Sequence, residues 1–133
     1  MVNTSPYIAP GKKSLDYLIC DAYGIKRSDL GIKTKRRNIS EARFVYYTLR
    51  VVLTSKTYRE IGMEFGHDHS TIVHAVKTCQ ALYKTNKPFR ERLERILSQS
   101  LIVPEKSQAI REFLKSNKTS AEFKSQHQEY EQA

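Results

Sequence analysis

Polar side chains recur on one side of the segment that runs from Asp68 to Lys77. Ser70, His74 and Lys77 are spaced so that they form one stripe on a helix, separate from the apolar residues between them. Hydroxyl, imidazole and ammonium groups on an exposed helix can bond to base edges and phosphates. The spacing therefore favours a helix that lies in the major groove of DNA.

Two short helices joined by a turn are expected to position that stripe. Thr57 and Glu60 have the spacing of a capping box at the start of the first helix. Gly66 can end this helix and Asp68 can cap the next one. Apolar residues at helical spacing predict the buried faces: Tyr58, Ile61 and Phe65, then Ile72, Val76, Cys79 and Tyr83. The pattern is typical of a helix-turn-helix.

The positive charge of the chain is concentrated just upstream of the second helix. The 133 residues carry a formal net charge of +9. Residues 26–59 hold ten basic side chains against two acidic ones; the basic ones are Lys26, Arg27, Lys33, Lys35, Arg36, Arg37, Arg43, Arg50, Lys56 and Arg59. Because neutralised phosphates release counterions, this cluster predicts double-stranded DNA as the partner. A membrane surface would require a basic amphipathic helix with a broad apolar face, which is not evident.

Composition narrows the class of protein further. No apolar run approaches the length of a membrane span, and the first residues lack a signal peptide's hydrophobic region. Cys20 and Cys79 fall in helical apolar patterns, which predicts buried reduced thiols in a cytoplasmic protein. With DNA as its partner, such a protein is expected to be nucleoid-associated. Few glycines and little strand-like alternation predict an all-α fold.

Three regions are expected along the chain. Residues 1–12 contain two prolines and a glycine and predict a flexible arm. Residues 13–99 predict the helix-turn-helix DNA-binding domain. Residues 100–133 are mostly polar and predict a tail of loosely packed helices or partly disordered chain.

Further helices are expected within the central region, starting at Ser14, Ser40 and Pro88. Between the first two of these helices, Leu30 and Ile32 are expected to pack inward. The basic run Lys33–Arg37 is too polar for a core and predicts a solvated loop.

The segment from Glu60 to Lys77 resembles the C-terminal DNA-binding domain of the bacterial replication initiator DnaA. That family has a Glu-Ile-Gly helix, a Phe-Gly turn, an Asp-His-Ser/Thr-Thr stretch and a His-Ala pair. The matching residues here are Glu60-Ile61-Gly62, Phe65-Gly66, Asp68-His69-Ser70-Thr71 and His74-Ala75. The resemblance covers residues 13–99 and implies an all-α helix-turn-helix bundle that binds DnaA-box-like sites.

Two groups of DNA contacts follow from the resemblance and from the basic cluster. The resemblance implies base contacts by Arg37 in the minor groove and by residues at the start of the second helix, which are Asp68, His69, Ser70 and Thr71. Contacts with the DNA backbone are expected from Lys35, Arg36, Arg43, Thr57, Tyr58, Arg59, His74 and Lys77.

Three features depart from the family pattern and bear on which DNA box is recognised. The turn is one residue shorter, with His67 where an arginine is usual. Glu41 lies near a position that is often basic in related domains, and Phe44 replaces a polar residue.

A nucleotide-binding motor domain precedes this module in DnaA proteins, and 133 residues leave no room for one. The fragment Gly11-Lys12-Lys13-Ser14 lacks the earlier glycine and the residue order of a phosphate loop. The chain is therefore expected to be a stand-alone DNA-binding protein without ATPase activity or cofactors, bound as a monomer per site. It would regulate or assist replication initiation, and a phage or mobile-element origin would fit. The alternative is a transcriptional regulator that uses the same helix-turn-helix to bind DNA.

Two other hypotheses concern different chemistry. The residues His67, Asp68, His69 and His74 suggest a metal-dependent nuclease, but the spacing of His69 and His74 is not the i, i+4 spacing that brings ligands together. No metal site and no enzymatic activity are therefore expected. The tail after Glu105 could instead bind a replication protein, since its sparse apolar residues allow such a contact.

Overall fold

The computed structural model describes residues 14–32, 34, 36–119 and 122–123. These residues form six α-helices and one 3₁₀ turn, and the predicted all-α fold is confirmed. The α-helices are α1 (Leu15–Tyr23), α2 (Arg37–Leu53), α3 (Tyr58–Met63), α4 (His69–Thr85), α5 (Lys87–Gln99) and α6 (Pro104–Lys115), and the 3₁₀ turn spans Arg27–Gly31. The arm at residues 1–12, together with Lys33 and Lys35, lies outside the described residues.

The ends of α1 follow the local signals in the sequence. The hydroxyl of Ser14 accepts a hydrogen bond from the backbone N–H of Tyr17 at 3.3 Å. Gly24 ends the helix at φ 66°, a left-handed conformation that glycine adopts without strain. In the following 3₁₀ turn Leu30 is fully buried, as predicted. The inward packing predicted for Ile32 is wrong, because the chain leaves the turn there and the side chain is 47% exposed.

Helix α2 begins earlier than expected. Its first helical residue is Arg37, three positions before the predicted start at Ser40. The N–H of Ser40 already donates to the carbonyl of Arg36, and the guanidinium of Arg37 pairs with Glu41 one turn later. Assigning Arg37 to a solvated loop was therefore wrong, because the helical hydrogen bonding already begins at the carbonyl of Arg36, within the basic run.

The core is centred on the contact between α2 and α4. Tyr47 and Leu49 from α2 and Ile72 from α4 are almost completely buried, and α1, α3 and α5 pack around them. Cys20 and Cys79 are free, buried thiols, as predicted. Burial raises the pKa of the Cys79 thiol to about 12, so it stays protonated and behaves as an apolar core residue.

Helix α6 belongs to the same core. Its side chains Ile110, Phe113 and Leu114 are fully buried, and the helix packs against α4 and α2. The ring of Phe123 meets that of Phe113 edge-on, with the centroids 5.5 Å apart. The described part of the predicted tail is thus well packed, because four large apolar side chains suffice to anchor it. A domain boundary at residue 99 stays a prediction.

No described helix combines the length and the apolar character that crossing a lipid bilayer would require.

Candidate nucleic-acid interface

Helix α3 starts with the predicted capping box. The hydroxyl of Thr57 accepts a hydrogen bond from the N–H of Glu60 at 3.1 Å, and the carboxylate of Glu60 accepts from the N–H of Thr57 at 2.8 Å. The backbone bond from Thr57 is the main reason why the pKa of Glu60 is lowered. The box fixes the start of α3, where Arg59 is exposed and Tyr58 is half-buried.

The turn between α3 and α4 depends on two glycines. Gly66 has a φ of 74°, a left-handed conformation that glycine adopts without strain. It does not end the helix as predicted, because α3 already stops at Met63 and Gly66 lies in the turn that follows. At Gly62 the backbone passes very close, since an added Cβ would lie 2.5 Å from the carbonyl oxygen of His67. The N–H of His67 donates to the carbonyl of Gly62 at 2.8 Å. Glycine in the Glu-Ile-Gly motif therefore permits the tight packing of the turn against α3.

The first turn of α4 is organised by Asp68. One of its carboxylate oxygens accepts hydrogen bonds from the N–H of Thr71 at 3.0 Å and from the hydroxyls of Ser70 at 2.8 Å and Thr71 at 3.0 Å. These bonds, led by the backbone N–H of Thr71, lower the pKa of Asp68. Because both hydroxyl protons point at Asp68, the hydroxyl oxygens are left as hydrogen-bond acceptors for an approaching ligand.

A surface cleft of about 560 Å³ joins the starts of α3 and α4. The ring of His69 lies 5.6 Å from that of Tyr58 across the two helices. Several residues expected to contact DNA line this cleft together: Thr57, Tyr58, Arg59, His69 and Lys77. The structure therefore brings half of the expected backbone contacts to one side of the α4 amino terminus.

The DnaA-like motif identified in the sequence coincides with these elements. Residues 14–79 match the family model described as the bacterial dnaA protein helix-turn-helix. Residues 14–79 belong to this DnaA family. The match spans α1 to the middle of α4, so α5 and α6 lie beyond it.

Three similar proteins are each named chromosomal replication initiator protein DnaA. The one from Sphingopyxis alaskensis is 43% identical over 65 residues, which cover 48% of this chain and 14% of the relative. The one from Zymomonas mobilis is 37% identical over 70 residues, covering 52% and 14%. The one from Francisella tularensis is 33% identical over 87 residues, covering 65% and 18%. The chain thus spans less than a fifth of the length of these DnaA relatives.

Two of the basic residues expected at the DnaA-type interface already have partners in the protein. Arg37 is 79% exposed, and its guanidinium pairs with Glu41 at 2.7 Å. Arg43 is half-buried and donates hydrogen bonds to the carbonyls of Leu30, at 2.8 Å, and Ile32. Arg43 therefore ties the 3₁₀ turn to α2, and its contact with phosphate stays a prediction.

The remaining expected contacts are placed differently. Arg36 is exposed and precedes the first residue of α2, next to Arg37. His74 lies on another side of α4 from the cleft, where its ring meets Phe44 edge-on at 6.0 Å. Phe44, one of the three departures from the DnaA pattern, thus packs against an exposed histidine of the second helix of the motif. Lys35 lies outside the described residues.

The helix-turn-helix is held in place by residues to which the sequence analysis assigned no such role. The carboxylate of Glu64, at the end of α3, accepts hydrogen bonds from Arg27 at 2.5 Å and from the hydroxyl of Tyr46 at 2.8 Å. Burial alone would raise the pKa of Glu64, but these two bonds bring it below its ordinary value. Arg27 and Glu64 are 37 positions apart, so no periodic pattern could have revealed the pair.

His67, which stands where an arginine is usual in DnaA domains, also has a partner within the protein. Nδ1 of His67 lies 2.5 Å from the hydroxyl of the buried residue Tyr47 in α2. Where related DnaA domains have an arginine in the turn, this chain has an imidazole bonded to its own core. Among the described residues, no group of three or more His, Cys, Asp or Glu could hold a metal ion.

Proposed function

We propose that this protein binds double-stranded DNA at DnaA-box-like sites, with the amino terminus of α4 in the major groove. In this complex Asp68, His69, Ser70 and Thr71 contact base edges. Arg37 enters the adjacent minor groove, where the negative potential is concentrated. One protein molecule occupies each site.

The division of α4 into two faces carries this proposal. Ile72 and Val76 are buried in the core, whereas His69 and Ser70 on the same helix are exposed. The capping bonds of Asp68 hold the exposed turn in one conformation, so binding would require little further ordering. Hydroxyl oxygens left as acceptors are suited to the amino groups of adenine and cytosine in the major groove.

The charge around the cleft supports the same orientation. Lys56 precedes α3, Arg59 lies in its first turn, and Lys77 lies two turns along α4. Three cations therefore lie beside the first turn of α4. Phosphate contacts of this kind position a protein on DNA without selecting a sequence. Base contacts made by α4 would therefore determine which sequence is bound, and phosphate contacts made by α3 would add affinity for any sequence.

A role in the initiation of DNA replication is the second part of the proposal. It is supported by the DnaA family to which residues 14–79 belong and by relatives named chromosomal replication initiator proteins. By occupying DnaA boxes the protein would regulate or assist initiation. Mapping its binding sites in the cell separates this role from transcriptional control: sites clustered at an origin support it, and sites confined to promoters contradict it.

In vitro selection from random duplexes followed by fluorescence anisotropy tests the DNA contacts. Replacing His69 or Ser70 with Ala should lower the preference for the selected box over random DNA by roughly tenfold to a hundredfold. Arg59→Ala should weaken binding to both duplexes and reduce the salt slope by about one unit. Equal losses on both duplexes for all three variants would contradict the assignment of base contacts, and failure of the unaltered protein to bind any duplex would contradict DNA binding itself.

A further inference from the structure

A short segment after α6, residues 116–119, is fixed on the side of α4. Gln80 of α4 is only 4% exposed, and its amide donates hydrogen bonds to the carbonyls of Phe113 and Lys118, each at 3.1 Å. Lys84, one turn further along α4, donates to the carbonyl of Ser116 at 3.3 Å. A buried glutamine that uses its amide group in this way holds the segment to the second helix of the motif.

The far end of the segment is also anchored. Thr119 accepts a hydrogen bond from the N–H of Glu122 at 3.2 Å, and the carboxylate of Glu122 accepts one from the N–H of Thr119 at 2.9 Å. This reciprocal pair has the geometry of a capping box, and Phe123 beyond it packs on Phe113. The backbone of Lys118 is therefore held between two fixed points.

This segment forms one wall of the cleft beside the α4 amino terminus. Asn117, Lys118 and Thr119 line the cleft opposite the start of α3. Lys118 thereby joins the basic residues already described at the cleft, which are Lys56, Arg59 and Lys77. None of the described residues that line the cleft is acidic, and the surface between the cations is largely apolar, with contributions from Tyr58 and Val73.

We infer that residues 117–119 extend the DNA interface beyond the helix-turn-helix and that Lys118 contacts a backbone phosphate of the strand lying in the cleft. This inference rests on the proposed function. A sugar–phosphate strand suits the cleft because the cations can meet phosphates while the apolar floor meets deoxyribose carbons. An acidic peptide would also match the charge, but the cleft is continuous with the turn of α4 that presents His69 to DNA.

Salt-dependent anisotropy with Lys118→Gln tests this contact on the box duplex and on a random duplex. The substitution keeps the backbone carbonyl that Gln80 holds, so the segment should stay in place. Since each neutralised phosphate contributes about 0.9 to the salt slope, affinity for both duplexes should fall roughly fivefold at 0.15 M salt and the slope by about one. Lys115→Gln, on the exposed side of α6 outside the cleft, removes the same charge and should leave the slope unchanged.

The outcomes separate this inference from the proposed function. If Arg59→Ala lowers the slope and Lys118→Gln does not, DNA binding stands and the contact by Lys118 is overturned. Equal slope changes for Lys118→Gln and Lys115→Gln would also overturn it, because they would indicate an effect of net charge alone. A lower slope for Lys118→Gln that Lys118→Arg restores would support it.

Discussion

The amino terminus of α4 and the basic region at residues 26–59 were both expected to meet DNA, but they are built differently. The polar groups of the α4 turn bond to one another: Ser70 and Thr71 donate to Asp68. In the basic region, two arginines bond instead to residues further away in the chain: Arg27 to Glu64, 37 positions away, and Arg43 to Leu30, 13 positions away. A count of charges therefore locates an electropositive region without showing which side chains are available to a ligand.

The largest expected effect would test whether Arg43 belongs to the fold or to the interface. Arg43→Met removes the charged donor from the carbonyls of Leu30 and Ile32, and the loss should lower the free energy of unfolding by about 2 kcal/mol. Urea unfolding measures this change. Arg59→Met is the matched control, because Arg59 is exposed and its loss should change stability by no more than about 0.5 kcal/mol. Unchanged stability together with a reduced salt slope for Arg43→Met would instead assign Arg43 to DNA.

Local signals in the sequence predicted most of the elements and several of their ends. Ser14, Thr57 and Asp68 each cap a helix as expected, because capping depends on residues only three positions away. The start of α2 was misplaced because Arg36 has no capping side chain to mark it in the sequence, although the start of the helix contains an ion pair between Arg37 and Glu41.

The candidate site could be predicted from the sequence only for residues that lie within the helix-turn-helix itself. Thr57, Arg59 and Lys77 share a cleft because adjacent helices of a helix-turn-helix bring their faces together. Lys118 reaches the same cleft from a segment beyond α6, through bonds made by the buried side chain of Gln80. Such contacts depend on tertiary packing, which neither periodicity nor composition reports.

An intermediate effect is expected from the bond that joins the turn to α2. Tyr47→Phe removes the hydroxyl that meets Nδ1 of His67 and should cost about 1 kcal/mol of stability. A double-mutant cycle with His67→Ala, followed by urea unfolding, isolates the pair. A coupling energy near 1 kcal/mol would show that the turn is held by this bond. Additive losses would mean that Gly62 and the Glu64 contacts hold the turn without it.

The smallest expected effect concerns Arg37, the one residue of the basic region that is expected to contact bases, as the α4 turn is. Its exposed guanidinium pairs with Glu41, so DNA must compete with that carboxylate before Arg37 can enter a minor groove. Glu41→Gln should therefore raise the affinity for duplex DNA by up to about fivefold, since an ion pair with a mostly exposed arginine is weak even where its carboxylate is buried. Anisotropy at low and high salt measures the gain, which should shrink as salt screens the pair.

Glu91→Gln distinguishes competition for Arg37 from a general loss of negative charge. Glu91 lies on α5 and pairs with Lys87 at 4.0 Å, so this substitution removes one negative charge at a different place. A larger gain for Glu41→Gln than for Glu91→Gln would mean that Arg37 is released to DNA. Equal gains would mean that Arg37 does not need to leave Glu41, and a loss would mean that Glu41 orients Arg37 toward the groove. Each outcome decides whether an arginine bonded within the protein can still serve the interface.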